Sequence, residues 1–302
     1  MKEIAMIVAR IFGGIGNQLF AYSAARRLAL FNNVELVIDH ISGFTHDIEY
    51  GRSYALEHFR IPCRKATASE RLEPFGRIRR ALNRNLSRFY RFKERTYLFQ
   101  DGLDFDRRLL GIRTKKKLYL EGYWQSERYF KDSEHQIRID LQIIPPEDAD
   151  NIACAEIIRK RLAVAVHVRF FDEPSSTEHG NTNNAPADYY ARAVRAMEAQ
   201  VSGDLHYFIF SDRPESVRGY FPIPDDRVTL ITHNKGDENA YADLWLMTQC
   251  QHFIIANSTF SWWGAWLAGN ANKIVIAPKF EKRDGASCWG FDGLLPEDWQ
   301  KI

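Results

Sequence analysis

The chain lacks most of the features that mark a protein class at once. Its 302 residues include only four cysteines, at 63, 154, 250 and 288. None has Cys-x-x-Cys spacing and no histidine stands at a metal-ligand offset, so a zinc module and a disulfide framework are excluded. The thiols read as free, mostly buried, and suited to a reducing compartment. No apolar run approaches the ~20 residues needed to span a bilayer. The start, Met1-Lys2-Glu3-Ile4, runs straight into a strand pattern without a signal-peptide profile. The expectation is a cytoplasmic protein, soluble or bound only to a membrane surface. Charge of one sign is also missing: 41 Lys and Arg face 39 Asp and Glu, and a net +2 gives no global field for nucleic acid. No Gly-Lys-Ser/Thr follows the glycine-rich turn, which excludes a P-loop. Internal repeats and low-complexity tracts are absent.

Core material is plentiful. Hydrophobic residues make up 45% of the chain, and its length suits two domains of about 150 residues each. Seven Trp, thirteen Tyr and twenty Phe supply rings that fill cores or stack on sugars and bases.

Hydrophobic periodicity predicts alternating strands and helices in both halves. Ile4 to Phe12 is a short apolar strand ending at Gly13-Gly14-Ile15-Gly16-Asn17-Gln18. A helix follows, with Leu19, Phe20, Ser23, Ala24, Leu28 and Phe31 on one side, and then a strand from Val34 to Asp39. Strand, glycine turn, helix and strand together open a Rossmann-like sheet. Residues 77 to 95 carry eight Lys or Arg and one acid, Glu94, with Ile78, Leu82, Leu86 and Phe89 at helical spacing. This reads as a basic amphipathic helix, either solvated and packed on the first domain or held at anionic lipid. Leu118 to Gln125 reads as a strand entering a loop, and Glu127 to Phe130 as a helix start. Pro145-Pro146 punctuates the middle.

After a helix over 147 to 161 the alternation resumes. Strands are expected at Ala163–Arg169, His206–Phe210, Val228–Ile231, Phe253–Ala256 and Lys273–Ala277. Helices are expected at Ala187–Gln200, Asp243–Cys250 and Ser261–Leu267, with a polar loop over 174 to 187. The pattern predicts two α/β domains, 1–146 and 147–302, each with a mostly parallel sheet; the C-terminal end returns toward the first domain. A ligand is expected in the cleft between them.

In open α/β sheets ligands gather at the carboxyl ends of strands. Here those ends carry Gly13 to Gln18, His167 and Arg169, Ser211 and Asp212, and Asn257-Ser258-Thr259 with Ser261. The last group sits where a strand turns into a helix. Exposed amides and hydroxyls make an anion site there, though Ser and Thr are equally ordinary helix caps. Arg169 can grip a phosphate through two parallel hydrogen bonds, or pair with Asp172 at the strand mouth. His167 leaves the same strand face as Arg169. Asp243 can accept from both N–H edges of a guanine, or simply favour a helix start. Gly14-Ile15-Gly16 begins like GxGxxG but Leu19 breaks it, while Asp39 lies near the place of a ribose-binding acid. Those two features keep a dinucleotide-dependent oxidoreductase open as an alternative, and the aromatics keep a non-catalytic glycan-binding protein open.

Several blocks resemble the bacterial α-1,2-fucosyltransferases, glycosyltransferase family 11. They are Gly13 to Tyr22, Glu121 to Phe130, Asp243 through Trp266, and Leu295-Pro296-Glu297-Asp298-Trp299. The resemblance implies a GT-B fold of two Rossmann-like domains facing across a cleft. It implies GDP-β-L-fucose as donor, a terminal β-galactoside accepting at its 2-hydroxyl, inversion, and no required metal or cofactor. By position, Arg169 would bind the diphosphate, His167 the nucleoside and Asp243 guanine. Ser258, Thr259 and Ser261 would hold phosphate or nucleoside, with Ser211, Asp212 and Asn257 beside them. Gly14, Gly16, Asn17 and Gln18 would face fucose and acceptor. The family's His-x-Arg-Arg-x-Asp stands here as His167-Val168-Arg169-Phe170-Phe171-Asp172, so a second guanidinium is lost or supplied elsewhere, with Arg213 a candidate. Asp172 is the candidate base, with Glu173, Asp39 and His179 as alternatives. The implied setting is surface polysaccharide synthesis on lipid-linked acceptors at the inner membrane. A GT-B transferase with another donor or linkage is the main alternative among enzymes.

Overall fold

The computed structural model describes residues 5–45, 47, 51–171, 183–217, 223–280 and 289–302. The chain divides into two compact units, one of residues 1–144 with 291–295, the other of 145–290 with 296–302.

The first unit is built on β1 (Met6–Arg10), α1 (Ile15–Asn32), β2 (Glu35–Asp39), β3 (Arg64–Lys65), α2 (Gly76–Ser87), β4 (Tyr97–Phe99), β5 (Lys117–Glu121) and α3 (Glu134–Asp140). Its sheet has the order β3-β2-β1-β5-β4 and is parallel throughout. Parallel strands are covered on both faces, which is why Ile7, Val8, Leu36, Val37, Leu118 and Leu120 are all buried. Thirteen of the eighteen α1 residues are buried, so its apolar residues spread around the helix rather than along one stripe. The helix stops at Asn33, whose left-handed φ of 52° carries the cap N–H back to Ala29 and Leu30 carbonyls. Buried charge is matched inside the unit. Asp140 accepts from Tyr22 at 2.7 Å, from Arg26 at 2.7 Å and from Gln136 at 2.8 Å.

Two expectations change here. The helix foreseen over 77–95 ends at Ser87, and residues 92–94 form a separate 3-10 turn. Ser87 Oγ donates to the Arg84 carbonyl at 2.8 Å and engages an acceptor of the last turn, a local bond that competes with helix continuation. The helix foreseen from Glu127 is instead two 3-10 turns, 127–129 and 131–133, leading into α3.

The second unit contains α4 (Ala149–Arg159), β6 (Leu162–Val168), α5 (Ala187–Gln200), β7 (Leu205–Ser211), β8 (Val228–Leu230), α6 (Ala240–Thr248), β9 (His252–Ile254), α7 (Thr259–Leu267), β10 (Val275–Ala277) and β11 (Gln300–Lys301). Its parallel sheet has the order β11-β10-β9-β6-β7-β8. β6 is central, and its unbroken Ala163–Val168 run is buried. Trp262 and Trp263 are fully buried; Trp262 also meets Trp299, ring centroids 5.4 Å apart. Gly264 admits close packing of α7 on α6, because a Cβ there would lie 2.8 Å from Met247 Cε. The aromatic half of the Ser261-Trp262-Trp263 run is therefore core. Cys63 and Cys154 are half-buried and Cys250 is buried, all three as free thiols; Cys288 lies outside the described residues.

Candidate functional site

The second sheet reverses direction between β6 and β9. The chain builds outward through β7 and β8 on one side of β6, then through β9, β10 and β11 on the other. The carboxyl ends flanking such a reversal form the crevice in which α/β sheets take ligands. β6 ends in His167 and Val168 and leads to Arg169, while β9 leads through Ile255 and Ala256 to Asn257 and the start of α7.

Arg169 is held from beneath. Its Nη1 lies 3.2 Å from Asp212 Oδ2, and its guanidinium lies 5.5 Å from the Phe171 ring centroid. The other Asp212 oxygen accepts the Phe170 N–H at 3.1 Å. Asp212 thus ties the ends of β6 and β7 and orients the cation; Asp172, the partner expected from sequence, lies outside the described residues. Ser211 Oγ accepts the Arg213 N–H at 3.1 Å and closes the same turn. Phe170, where the family carries a second arginine, is buried in the core with Val168, Ala185 and Tyr189.

His167 is 5% exposed, and its Nδ1 has no hydrogen-bond partner among the described residues. Burial first, and the Arg169 charge second, push its pKa down to about 3, so the imidazole is neutral at physiological pH. Its ring lies 5.2 Å from that of Phe260, which links β6 to α7. Tyr190 from α5 donates to the His167 carbonyl at 3.1 Å.

Ser258 is the N-cap of α7, its hydroxyl accepting the Phe260 N–H at 3.3 Å. Asn257 is buried; its amide donates to the Asn183 carbonyl at 2.9 Å, and its Oδ1 has no partner among the described residues. Ser261 is fully buried and donates to the Ser258 carbonyl at 3.2 Å. Thr259 opens the helix with its first N–H groups. The helix start is thus both a cap and a row of amides beside a neutral imidazole and a guanidinium.

Asp243 lies in the first turn of α6 and is tied to a different set of residues. Asn234 donates to it at 2.8 Å, and Asn234 also bonds Asn151, the residue gripped by the α4 cap Asp148. Burial pushes its carboxyl up to about 7, opposed by the Asn234 bond. The carboxyl therefore keeps its proton well above the usual carboxylate range in the absence of a ligand.

Gly14, Gly16, Asn17 and Gln18 belong to the first unit. Gly14 caps α1 without a side-chain bond, a Cβ there would meet only Arg52, at 3.9 Å, among the described residues, and Gly16 is buried in the first helical turn. Asn17 Oδ1 accepts from Gln125 at 2.6 Å. Gln18 is fully buried, donating to the Gly13 and Ser53 carbonyls at 2.8 Å each and accepting the Ala55 N–H at 2.9 Å. Its amide brackets the 53–55 loop to the glycine turn. Asp39 is also fully buried, bonded by Ser42 and Tyr119, which removes it as a freely accessible base. Asp172, Glu173 and His179 lie outside the described residues, as does most of the 174–187 loop. Among the described residues no group of three or more His, Cys, Asp or Glu is placed to hold a metal.

The pairing of Arg169 with Asp212 follows from strand register. β6 and β7 run in register with Val168 beside Ser211, so the next residues, 169 and 212, fall side by side. Phe260 against His167 had no comparable signal, because an aromatic inside a hydroxyl run reads as core.

Two units, each built on a parallel α/β sheet, have the GT-B architecture of glycosyltransferases. The sequence matches glycosyl transferase family 11 over residues 74–287, and the chain belongs to that family. An alpha-1,2-colitosyltransferase of Escherichia coli is 30% identical to it, covering 99% of each chain. The O-antigen biosynthesis glycosyltransferase WbnK, also of Escherichia coli, is 28% identical over 88% of this chain and 92% of its own. Among solved structures, NodZ alpha-1,6-fucosyltransferase co-crystallized with GDP aligns with a TM-score of 0.52 at 15% identity, over 89% of this chain and 93% of that one. A mutant of Arabidopsis thaliana FUT1 in complex with GDP aligns with a TM-score of 0.51 at 12% identity, over 95% and 72%. At these identities the two structures speak for the fold alone.

Proposed function

We propose that the protein transfers L-fucose from GDP-β-L-fucose to the 2-hydroxyl of a terminal β-galactoside, with inversion and without a metal. The observation that carries this reading is the set of groups at the β6/β9 reversal: the cation Arg169, the neutral His167 and the α7 amides at one crevice. Arg169 and the helix start stabilise the diphosphate as the bond from the anomeric carbon to the phosphate oxygen breaks and its electron pair moves to that oxygen. His167 Nδ1 and Asn257 Oδ1, both buried and unpaired, gain partners from the nucleotide. Asp243, ionised by contact with guanine N–H groups, reads the base. The acceptor oxygen attacks from the opposite face, and its proton passes to Asp172. The work is placed in the cytoplasm, on surface-polysaccharide intermediates; the relative WbnK, named for O-antigen biosynthesis, supports that setting.

A second donor is favoured by one specific finding, the 30% identity to an alpha-1,2-colitosyltransferase, which makes a GDP-linked dideoxy sugar the competing substrate. Direct competition decides between them. Enzyme in EDTA is offered GDP-fucose and GDP-colitose with a β-galactoside, and the product's anomeric proton coupling is read by NMR. An α-fucoside linked to O2 is the expected product. Exclusive use of GDP-colitose, a β-linked product, or activity that needs added metal would overturn the corresponding part of the reading.

A further inference from the structure

We propose that α2 is a docking surface for an anionic lipid bilayer. The helix packs on its own unit the wrong way round for a protein core. Its inward face is polar: Arg80 donates to the Arg71 carbonyl at 3.1 Å, and Arg84 pairs with buried Glu121 at 2.5 Å and lies over the Phe99 ring. Its outward face is apolar. Ile78, Leu82 and Leu86 follow the i, i+4 spacing of one helical stripe, with Phe75 at the N-cap and Phe89 just past the C-terminal end, and the five are between 55% and 87% exposed. A surface helix ordinarily buries such a stripe. Leaving it in water is unfavourable unless another apolar phase covers it.

The charge around the stripe selects that phase. Arg77, Arg79, Arg88, Arg91 and Lys93 are exposed on or just beyond the helix, and Glu94 is the single acid of the 77–95 stretch. Apolar side chains ringed by arginine match the acyl and headgroup layers of an acidic membrane, where each base near the surface adds attraction. A cavity of about 370 Å³ at the foot of the helix is lined by Arg88, Arg95 and Arg108 and by Asp101 and Asp106, with Arg108 paired to Asp106 at 2.7 Å, so its charges largely balance and the exposed arginines carry the attraction. A second copy of the chain is a poor cover. A two-fold pairing sets the same basic patch against itself. Docking through α2 leaves the Arg169 crevice of the second unit untouched, so it stands or falls apart from the donor.

Flotation of the full chain with phosphatidylcholine vesicles, with and without phosphatidylglycerol, tests the inference. The protein is expected to float with the acidic vesicles alone and to be released by raised salt. The triple change Ile78→Gln, Leu82→Gln, Leu86→Gln is expected to weaken partitioning by about tenfold or more. A second variant, Arg77→Gln with Arg79→Gln, is expected to weaken binding to the acidic vesicles by about tenfold or more and to reduce the salt dependence while keeping the unfolding temperature, which covers the case in which the triple variant misfolds. Thermal shift by GDP should be unchanged in both. Absence of flotation, equal flotation with neutral vesicles, or a triple variant that stays folded and floats like the parent overturns the proposal. So does light scattering that shows a dimer lost in the triple variant without lipid binding by the parent.

Discussion

The two units share one sheet design and treat the ends of their strands differently. In the first, the polar groups around the glycine turn are engaged within the unit. Gln18 spends its whole amide on Gly13, Ser53 and Ala55, and Asp39 is closed by Ser42 and Tyr119. His40 Nδ1, Arg84 Nε, Gln100 Nε2 and Trp124 Nε1, buried and without a partner among the described residues, are exceptions. In the second, among the described residues, the corresponding edge leaves His167 Nδ1 and Asn257 Oδ1 without a partner and sets the Asp212 carboxylate against Arg169. Buried polar atoms are unfavourable unless bonded, so Gln18 and Asp39, bonded inside their unit, serve the fold, while the open atoms of His167 and Asn257 are the ones we propose a nucleotide completes. A glycine turn and a hydroxyl-rich helix start look equally nucleotide-like in one dimension; their hydrogen bonds separate them.

The sharpest way to break that comparison is Arg169→Ala. Loss of one charge-stabilising group facing the leaving diphosphate is expected to lower kcat/KM by about 100- to 1,000-fold, read in a GDP-release assay. Full turnover would mean that the phosphate lies elsewhere. Gln18→Ala is the counterpart in the first unit. It leaves three backbone groups short of a partner and should reduce stability by about 1–3 kcal/mol in urea unfolding, with no change in GDP affinity. A weaker effect is expected from Asp212→Asn. The guanidinium loses its orienting charge, and kcat/KM should fall by about tenfold with little change in unfolding temperature.

The smallest effect is one of pH. Asp243 holds its proton to about 7 in the folded chain, against an ordinary value of 3.8. The native state then binds more protons than the unfolded state between those values, so this group makes stability fall as pH rises from about 4 to about 7. Asp243→Asn should flatten that part of the stability profile. In the parent, GDP affinity should rise less than tenfold as pH passes through about 7 and the carboxylate ionises. A flat GDP titration in the parent removes Asp243 from base recognition.

Much of the fold was legible because parallel strands are unbroken apolar runs and the helices between them are periodic. β6, β7 and α5 fall where the pattern puts them. β3, β4 and β11 escape it, since two or three residues carry no period. The candidate site was legible in its residues and not in its bonds. Ser258 reads as a cap from its type and position, and it is one. Gln18 reads as a ligand-facing amide, yet its partners stand up to 37 residues along the chain, beyond any local pattern. Asp212 stands beside Arg169 because strand register, which is non-local, decides the neighbour; Asp172 lies outside the described residues.

The central claim is that the nucleotide is held at the β6/β9 edge of the second unit by Arg169. Isothermal titration with GDP in EDTA tests it most directly, using the parent, Arg169→Ala and Gln18→Ala side by side. The expected result is metal-free binding by the parent, an equal Kd for Gln18→Ala, and a loss of about 100-fold for Arg169→Ala. Unchanged affinity in folded Arg169→Ala, or loss confined to Gln18→Ala, would contradict it.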